Sequence, residues 1–178
     1  KKLNITATVI RALEEQHVLA VESEQVYRNP VHAENIQKKE IIYTQEQKRA
    51  IMRFCKDYEN GIRKTYLLHG VTGSGKTEVY MEMIQSVVDK GKQAIVLIPE
   101  IALTYQTVMR FYRCFGDRVS IMNSRLSAGE RYDQMMRAKR GEVDVMIGPR
   151  SALFTPFPDL GLIVIDEEHE PTYKSEQV

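Results

Sequence analysis

Residues 70–77, Gly-Val-Thr-Gly-Ser-Gly-Lys-Thr, match GxxxxGK[ST] at every required position. They follow a short apolar run, TYLLHG, and lead into KTEVYMEMIQSVVDK, an amphipathic stretch closed by Gly91. A strand, a glycine-rich turn and a helix in that order is the context that makes the pattern a phosphate loop. Its glycines let backbone N–H groups turn inward around phosphate oxygens, and the helix offers its positive end to the same anion. Gly70, Val71, Thr72, Gly73, Ser74, Gly75, Lys76 and Thr77 are therefore the expected ATP-binding residues. Lys76 reaches for the β- and γ-phosphates, and the Thr77 hydroxyl is a ligand for Mg²⁺.

The rest of the chain supports that architecture. QEQKRAIMRFCKDY has the apolar spacing of a helix. After the loop the pattern runs strand QAIVLI, helix IALTYQTVMRFYRCF, strand RVSIM, helix SAGERYDQMMRAKR, strand VDVMI and strand LIVID. Strands alternating with helices predict an α/β fold around a parallel, doubly wound sheet. Ligands of such sheets sit outside the carboxyl ends of the strands, and the polar motifs fall there.

One of those ends is LIVIDEEHEPTYK. A buried strand running into acids is a place to hold a metal. Asp166 can hold Mg²⁺ through water beside Thr77, and Glu167 can orient and deprotonate the attacking water. Zinc is a poor fit, because no second His or Cys is placed to join Glu168 and His169.

Charge and composition narrow the partners. The net charge of +1 excludes a polycation, so nucleic-acid contact requires a local patch. Residues 110–140 offer one, with eight Arg or Lys against three acids; a solvated helix face reads the same way. Cys55 and Cys114 form no CxxC pair and read as reduced, packed thiols of a cytoplasmic protein. No apolar run approaches a membrane span and no signal peptide opens the chain. An opening at Lys1-Lys2 without Met suggests a processed or cut chain. At residues 1–30, ITATVIRALEEQ has helical spacing, and HVLAV and QVYR flank a polar turn as a hairpin would. Helix plus hairpin is too small to bury a core, so this region reads as the end of a small domain. Residues 31–43 form a linker and residues 44–178 the nucleotide-binding domain.

The phosphate loop followed by DEEH resembles a superfamily 2 helicase of the DExH type. The closer resemblance is to the primosomal protein N′ family of replication-restart helicases. It is carried by HGVTGSGKTEVY, VLIPEIALTYQ, IGPRSALFTPF and VIDEEHEPTYK, four motifs in order across residues 44–178. It implies a RecA-like first helicase lobe, preceded by the last helix and wing of a winged-helix domain in residues 1–30. Gln47 would read adenine, since an amide offers a donor and an acceptor, and His169 would join the ATP site. Pro99, Glu100, Thr104 and Gln106 match the family's first DNA-facing motif; Gly148, Arg150 and Ser151 match the second. Such loops grip single-strand phosphates without a sequence code. Tyr173 falls in the family's aromatic-rich loop, where a tyrosine can stack on a base. Two positions depart from the family: Pro149 stands where Thr is common, which removes an N–H and a hydroxyl, and Asn123-Ser124 replaces His-Ser.

The resemblance implies an ATP-dependent 3′→5′ DNA helicase of replication restart, bacterial and nucleoid-associated. Its partners would be single-stranded and forked DNA, primosome proteins and single-strand-binding protein, with no membrane. Such motors need a second lobe with an arginine finger, and the family carries a zinc insertion; neither fits in 178 residues. This chain is thus expected to bind ATP and Mg²⁺ without turnover. The alternatives are another superfamily 2 motor such as a duplex translocase, a small-molecule kinase sharing the phosphate loop, and a non-catalytic nucleotide- and DNA-binding module.

Overall fold

The computed structural model describes residues 7–20 and 41–173. Helix α1 spans Ala7–Glu15, as the spacing of Val9, Ile10 and Leu13 predicts. Residues 17–20 after it are not strand. The second arm of the expected hairpin, QVYR, lies outside the described residues, as does most of the linker.

The described residues from 41 onward open with α2, Gln45–Glu59. Thr44 caps it: its hydroxyl accepts from Gln47 N–H, while the Gln47 side chain accepts from Thr44 N–H. That reciprocal box satisfies two backbone donors that a helix end otherwise leaves open. Helix α3, Lys76–Val88, starts directly from the glycine-rich loop. Then come β1 Gln93–Leu97, α4 Tyr105–Phe115, β2 Val119–Ile121, α5 Ala128–Lys139, β3 Val145–Gly148 and β4 Leu160–Ile165. Helix α4 is shorter than its apolar pattern predicts. Thr104 caps it, and residues 100–103 turn on the Pro99 and Glu100 carbonyls instead.

The four strands form one sheet in the order β2-β3-β1-β4, and every pairing is parallel. β1 and β3 have paired neighbours on both sides and are buried throughout, as all-apolar central strands of a parallel sheet must be. On one face, Val96 and Ile98 pack with Tyr80, Ile84, Phe111 and Tyr112 from α3 and α4. On the other, Ile95, Leu97 and Met146 pack with Met122 and Ala138. This is the predicted sheet sandwiched by helices. Cys55 and Cys114 both pack against core clusters as thiols.

The expected strand TYLLHG departs from the prediction. Residues 62–71 carry neither helix nor strand. Tyr66 nonetheless packs against the Phe54, Tyr58 and Val87 cluster, so the segment is anchored by side chains and not by a hydrogen-bond ladder. β4 pairs with β1, and among the described residues no other strand pairs with it. Ile163 and Ile165 consequently stay 43% and 52% exposed.

Candidate functional site: a phosphate loop facing an acid-tipped strand

Residues 70–77 join the Tyr66 segment to α3. Gly73 and Gly75 take φ of 79° and 78°, a left-handed backbone that a side chain resists. Gly75 is the N-cap of α3 and makes no side-chain cap bond, so the first N–H groups of the helix face the loop. Lys76 Nζ donates to the carbonyls of Gly70 at 2.8 Å and Val71 at 3.0 Å. The ammonium is thus folded onto the loop itself. Val71 and Thr72 are exposed at the tip.

Gln47 is brought to this loop from α2. Its Nε2 donates to the Ser74 carbonyl at 2.9 Å and its Oε1 accepts from Thr44 N–H at 2.8 Å. The amide therefore braces the phosphate loop against the N-terminus of α2. One N–H and one lone pair of it remain for an adenine edge. A bulkier residue at position 75 would collide with this amide, since a Cβ there falls on Gln47 Nε2.

Asp166 ends β4, its N–H bonded to the Leu97 carbonyl at 2.9 Å. Tyr80, 6% exposed on α3, donates from its hydroxyl to Asp166 Oδ2 at 3.0 Å. Glu167 N–H bonds the other oxygen, Oδ1, at 3.1 Å. Burial pushes the Tyr80 hydroxyl well above its usual range, and the Asp166 charge adds to it. Tyr80 therefore stays a proton donor to this carboxylate. Sequence reasoning missed it; its signal is its place one helical turn after Thr77, on the side of α3 that meets the sheet.

Glu167 adopts φ of 51°, one of two non-glycine residues with positive φ among the described residues. Strained backbone of this kind concentrates where a side chain has to be aimed. Its carboxylate is exposed, as are Glu168 and His169, whose Nδ1 lies 3.7 Å from the Glu168 carboxylate. Tyr173 is partly buried against the Ile95–Leu97 side of the core, and its hydroxyl donates to the Asp166 carbonyl at 3.0 Å. The ring predicted to stack on a base thus packs inward and ties the loop after β4 to the acid.

Among the described residues, no three His, Cys, Asp or Glu side chains gather as a metal-binding cluster. The oxygen pair Thr77 and Asp166 still suits Mg²⁺, which binds through one or two protein oxygens plus phosphates. Tyr80 stands three residues after Thr77 on α3 and holds the Asp166 carboxylate.

The DNA-motif residues lie at the carboxyl ends of β1, β3 and β2. A cleft of about 500 Å³ runs between residues 100–105 and the Asn123-Ser124-Arg125 segment. Because β3 lies between β1 and β2, this cleft straddles the end of β3, from which Pro149 and the exposed Arg150 and Ser151 emerge. Several predicted contact residues have structural work here. Pro99 is buried, and its carbonyl accepts from Ala102 and Leu103. Thr104 caps α4, and Gln106 is exposed in its first turn. Glu100 Oε1 accepts from Ser124 N–H at 2.6 Å, clamping the loop after β2 to the turn after β1. Gly148 is buried against the Met122 carbonyl. Asn123, the departure noted above, accepts from the Arg125 and Leu126 N–H groups. The basic stretch 110–140 is largely committed internally: Arg110 pairs with Glu78, Arg118 with Asp144, Arg131 holds the Leu126 and Ser124 carbonyls, and Arg137 is buried against Gln134. Arg125 is exposed at the cleft, and Arg150 is exposed just past the end of β3.

Residues 44–177 match the DEAD/DEAH box helicase family. The whole chain is similar to the replication restart protein PriA of Bacillus subtilis, 45% identical over 179 residues. PriA of Synechocystis is 50% identical across 63% of the chain, and PriA of Chlamydia muridarum 47% across 74%. The chain spans 22%, 14% and 17% of the lengths of these relatives. No described helix is long and apolar enough to cross a membrane.

Proposed function

The chain belongs to the DEAD/DEAH box helicase family, and on that footing we propose that it is the ATP-binding lobe of a 3′→5′ DNA helicase of replication restart. The observation that carries this is the phosphate loop at the start of α3, linked through Tyr80 to the acid at the end of β4. The similarity to proteins named replication restart protein PriA supports the restart role.

In this reading the N–H groups of residues 70–77 cradle the β- and γ-phosphates, and Lys76 leaves the Gly70 and Val71 carbonyls for them. Thr77 and Asp166 would hold Mg²⁺, which would neutralise charge on the phosphate oxygens. Glu167 takes a proton from the attacking water as its oxygen bonds the γ-phosphorus and ADP leaves. Gln47 reads adenine from the loop side, and His169 stands at the γ-phosphate edge. Single-stranded or forked DNA crosses the ends of β1, β3 and β2, where Thr104, Gln106, Arg150 and Ser151 meet its phosphates. Primosome proteins and single-strand-binding protein are the proposed partners, and the cytoplasm the compartment.

The 178-residue chain by itself binds ATP·Mg²⁺ but turns it over at background rate. A transition-state arginine supplied by another lobe is worth about 10³–10⁵ in rate. Phosphate release from the chain, and from a polypeptide of the relatives' full length, with and without single-stranded DNA, tests both statements. DNA-stimulated release is expected from the long form alone, and Glu167→Gln should abolish it while ATP binding persists. Normal turnover by Glu167→Gln removes that residue from the reaction.

A further inference from the structure

We propose that Tyr80 is a positioning residue for the cation, a hydroxyl that aims the Asp166 carboxylate at Mg²⁺. The inference rests on the nucleotide-site reading above and extends it to a residue outside the phosphate loop and the acids.

The geometry is specific. Tyr80 follows Thr77 by three positions on α3, so both side chains lie on one face of the helix. The Tyr80 ring is buried, stacked beside Phe111 with centroids 6.4 Å apart, so its hydroxyl has little freedom. That hydroxyl has one proton, and the proton goes to Asp166 Oδ2. That bond occupies Oδ2, while Oδ1 takes one bond from Glu167 N–H and keeps lone pairs for a further ligand. Held at both oxygens, the carboxylate is fixed in one orientation and keeps lone pairs for a hard cation. Outer groups that orient ligands in this way change metal affinity by about 10–100-fold when removed.

A phenylalanine at position 80 keeps the ring and its packing and removes only the hydroxyl. The experiment titrates a fluorescent ADP analogue into the chain, in EDTA and across a Mg²⁺ series, for the parent, Tyr80→Phe, Asp166→Asn, the double variant and Lys76→Ala. Tyr80→Phe should match the parent in EDTA but need about tenfold more Mg²⁺ for the same gain in affinity. Asp166→Asn should lose most of that gain, and the double variant should lose no more than Asp166→Asn alone. A Tyr80→Phe Mg²⁺ curve that overlays the parent overturns the proposal. So does an equal loss with and without Mg²⁺, which is the mark of a purely structural role. Should Tyr80→Phe melt too low to titrate, 3-fluorotyrosine at position 80 keeps the hydroxyl and should restore the parent's curve; failure to restore it also overturns the proposal. If the parent binds nucleotide with no Mg²⁺ gain, or Lys76→Ala binds as well as the parent, the nucleotide-site reading falls first and the proposal with it.

Discussion

Gly148→Ala should destabilise this domain more than any surface glycine change, because the glycine is required by a close approach and not by its backbone angle. Gly148 ends β3 between β2 and β1, pairing with Leu97 on one side. Its carbonyl accepts from Ile98 N–H at 2.9 Å, and the neighbouring Ile147 carbonyl accepts from Met122 N–H at 2.7 Å. A Cβ at position 148 would overlap the Met122 carbonyl oxygen, and would lie 2.9 Å from Met122 Cβ and 3.1 Å from Ala152 Cβ. None of these is the loose end of a flexible side chain. The end of β2 must move away from β3, straining ladder bonds. Overpacking costs about 1–3 kcal/mol; backbone contacts put this case near the upper end. Replacing a strand glycine returns about 0.5–1 kcal/mol of chain entropy. The net loss is about 2 kcal/mol, or roughly 4–8 °C in Tm for a domain of this size. Gly141→Ala is the control: φ is 73° with open space around it, so it carries backbone strain of about 1 kcal/mol and no clash. Thermal melts of the three proteins decide the matter. A Gly148→Ala melting temperature within about 1 °C of the parent, or a larger loss in Gly141→Ala, would refute the packing argument.

Three further outcomes follow from the same geometry. Lys76→Ala should weaken ATP and ADP binding roughly ten- to hundredfold, since a charge-assisted contact to phosphate is worth about 1.5–3 kcal/mol; a fluorescent-nucleotide titration with equal affinities would sink the assignment. Arg150→Ala should weaken single-strand binding and lower the salt slope by about one phosphate contact, which anisotropy at several salt concentrations will show; an unchanged slope takes Arg150 out of the DNA path. Bonds from Ser124, then the Arg125 and Arg131 charges, hold the Glu100 carboxyl below the usual glutamate range. A depressed folded pKa stabilises above the unfolded pKa and loses that contribution as pH falls through the folded one. The Tm gap between parent and Glu100→Gln should therefore be full at neutral pH and shrink below about pH 4.3; a gap independent of pH would contradict the clamp.

Much of the candidate site was legible in the chain because its geometry is local. The glycines, Lys76 and Thr77 are consecutive, and a loop leading into a helix aims them without help from distant residues. Asp166 was readable because an apolar strand ends on it. Gln47 was placed by the family's pattern, and its bracing of the Ser74 carbonyl emerged only with α2 docked on the loop. Tyr80 carried only a positional signal, one helical turn after Thr77: a tyrosine in a helix otherwise reads as core, and its hydroxyl acquires a role only when a residue 86 positions away arrives opposite it.

By itself the sequence determined the α/β alternation, the parallel sheet and the chemistry at its strand ends, because periodicity, capping residues and loop glycines act over a few residues. Strand order was beyond it, since β4 reaches β1 across two intervening helices and two strands. Only the tertiary structure decided that TYLLHG stays outside the ladder: an apolar run qualifies for a strand anywhere, but here the outer edge of β4 stays unpaired among the described residues and Tyr66 is held by side-chain packing instead. Tertiary packing likewise turned Tyr173 inward onto the Asp166 carbonyl and spent Pro99, Glu100 and Thr104 on holding loops together. Those residues carry polar groups that must be satisfied wherever they are buried. Which partner satisfies them is set by what the fold brings within 3 Å.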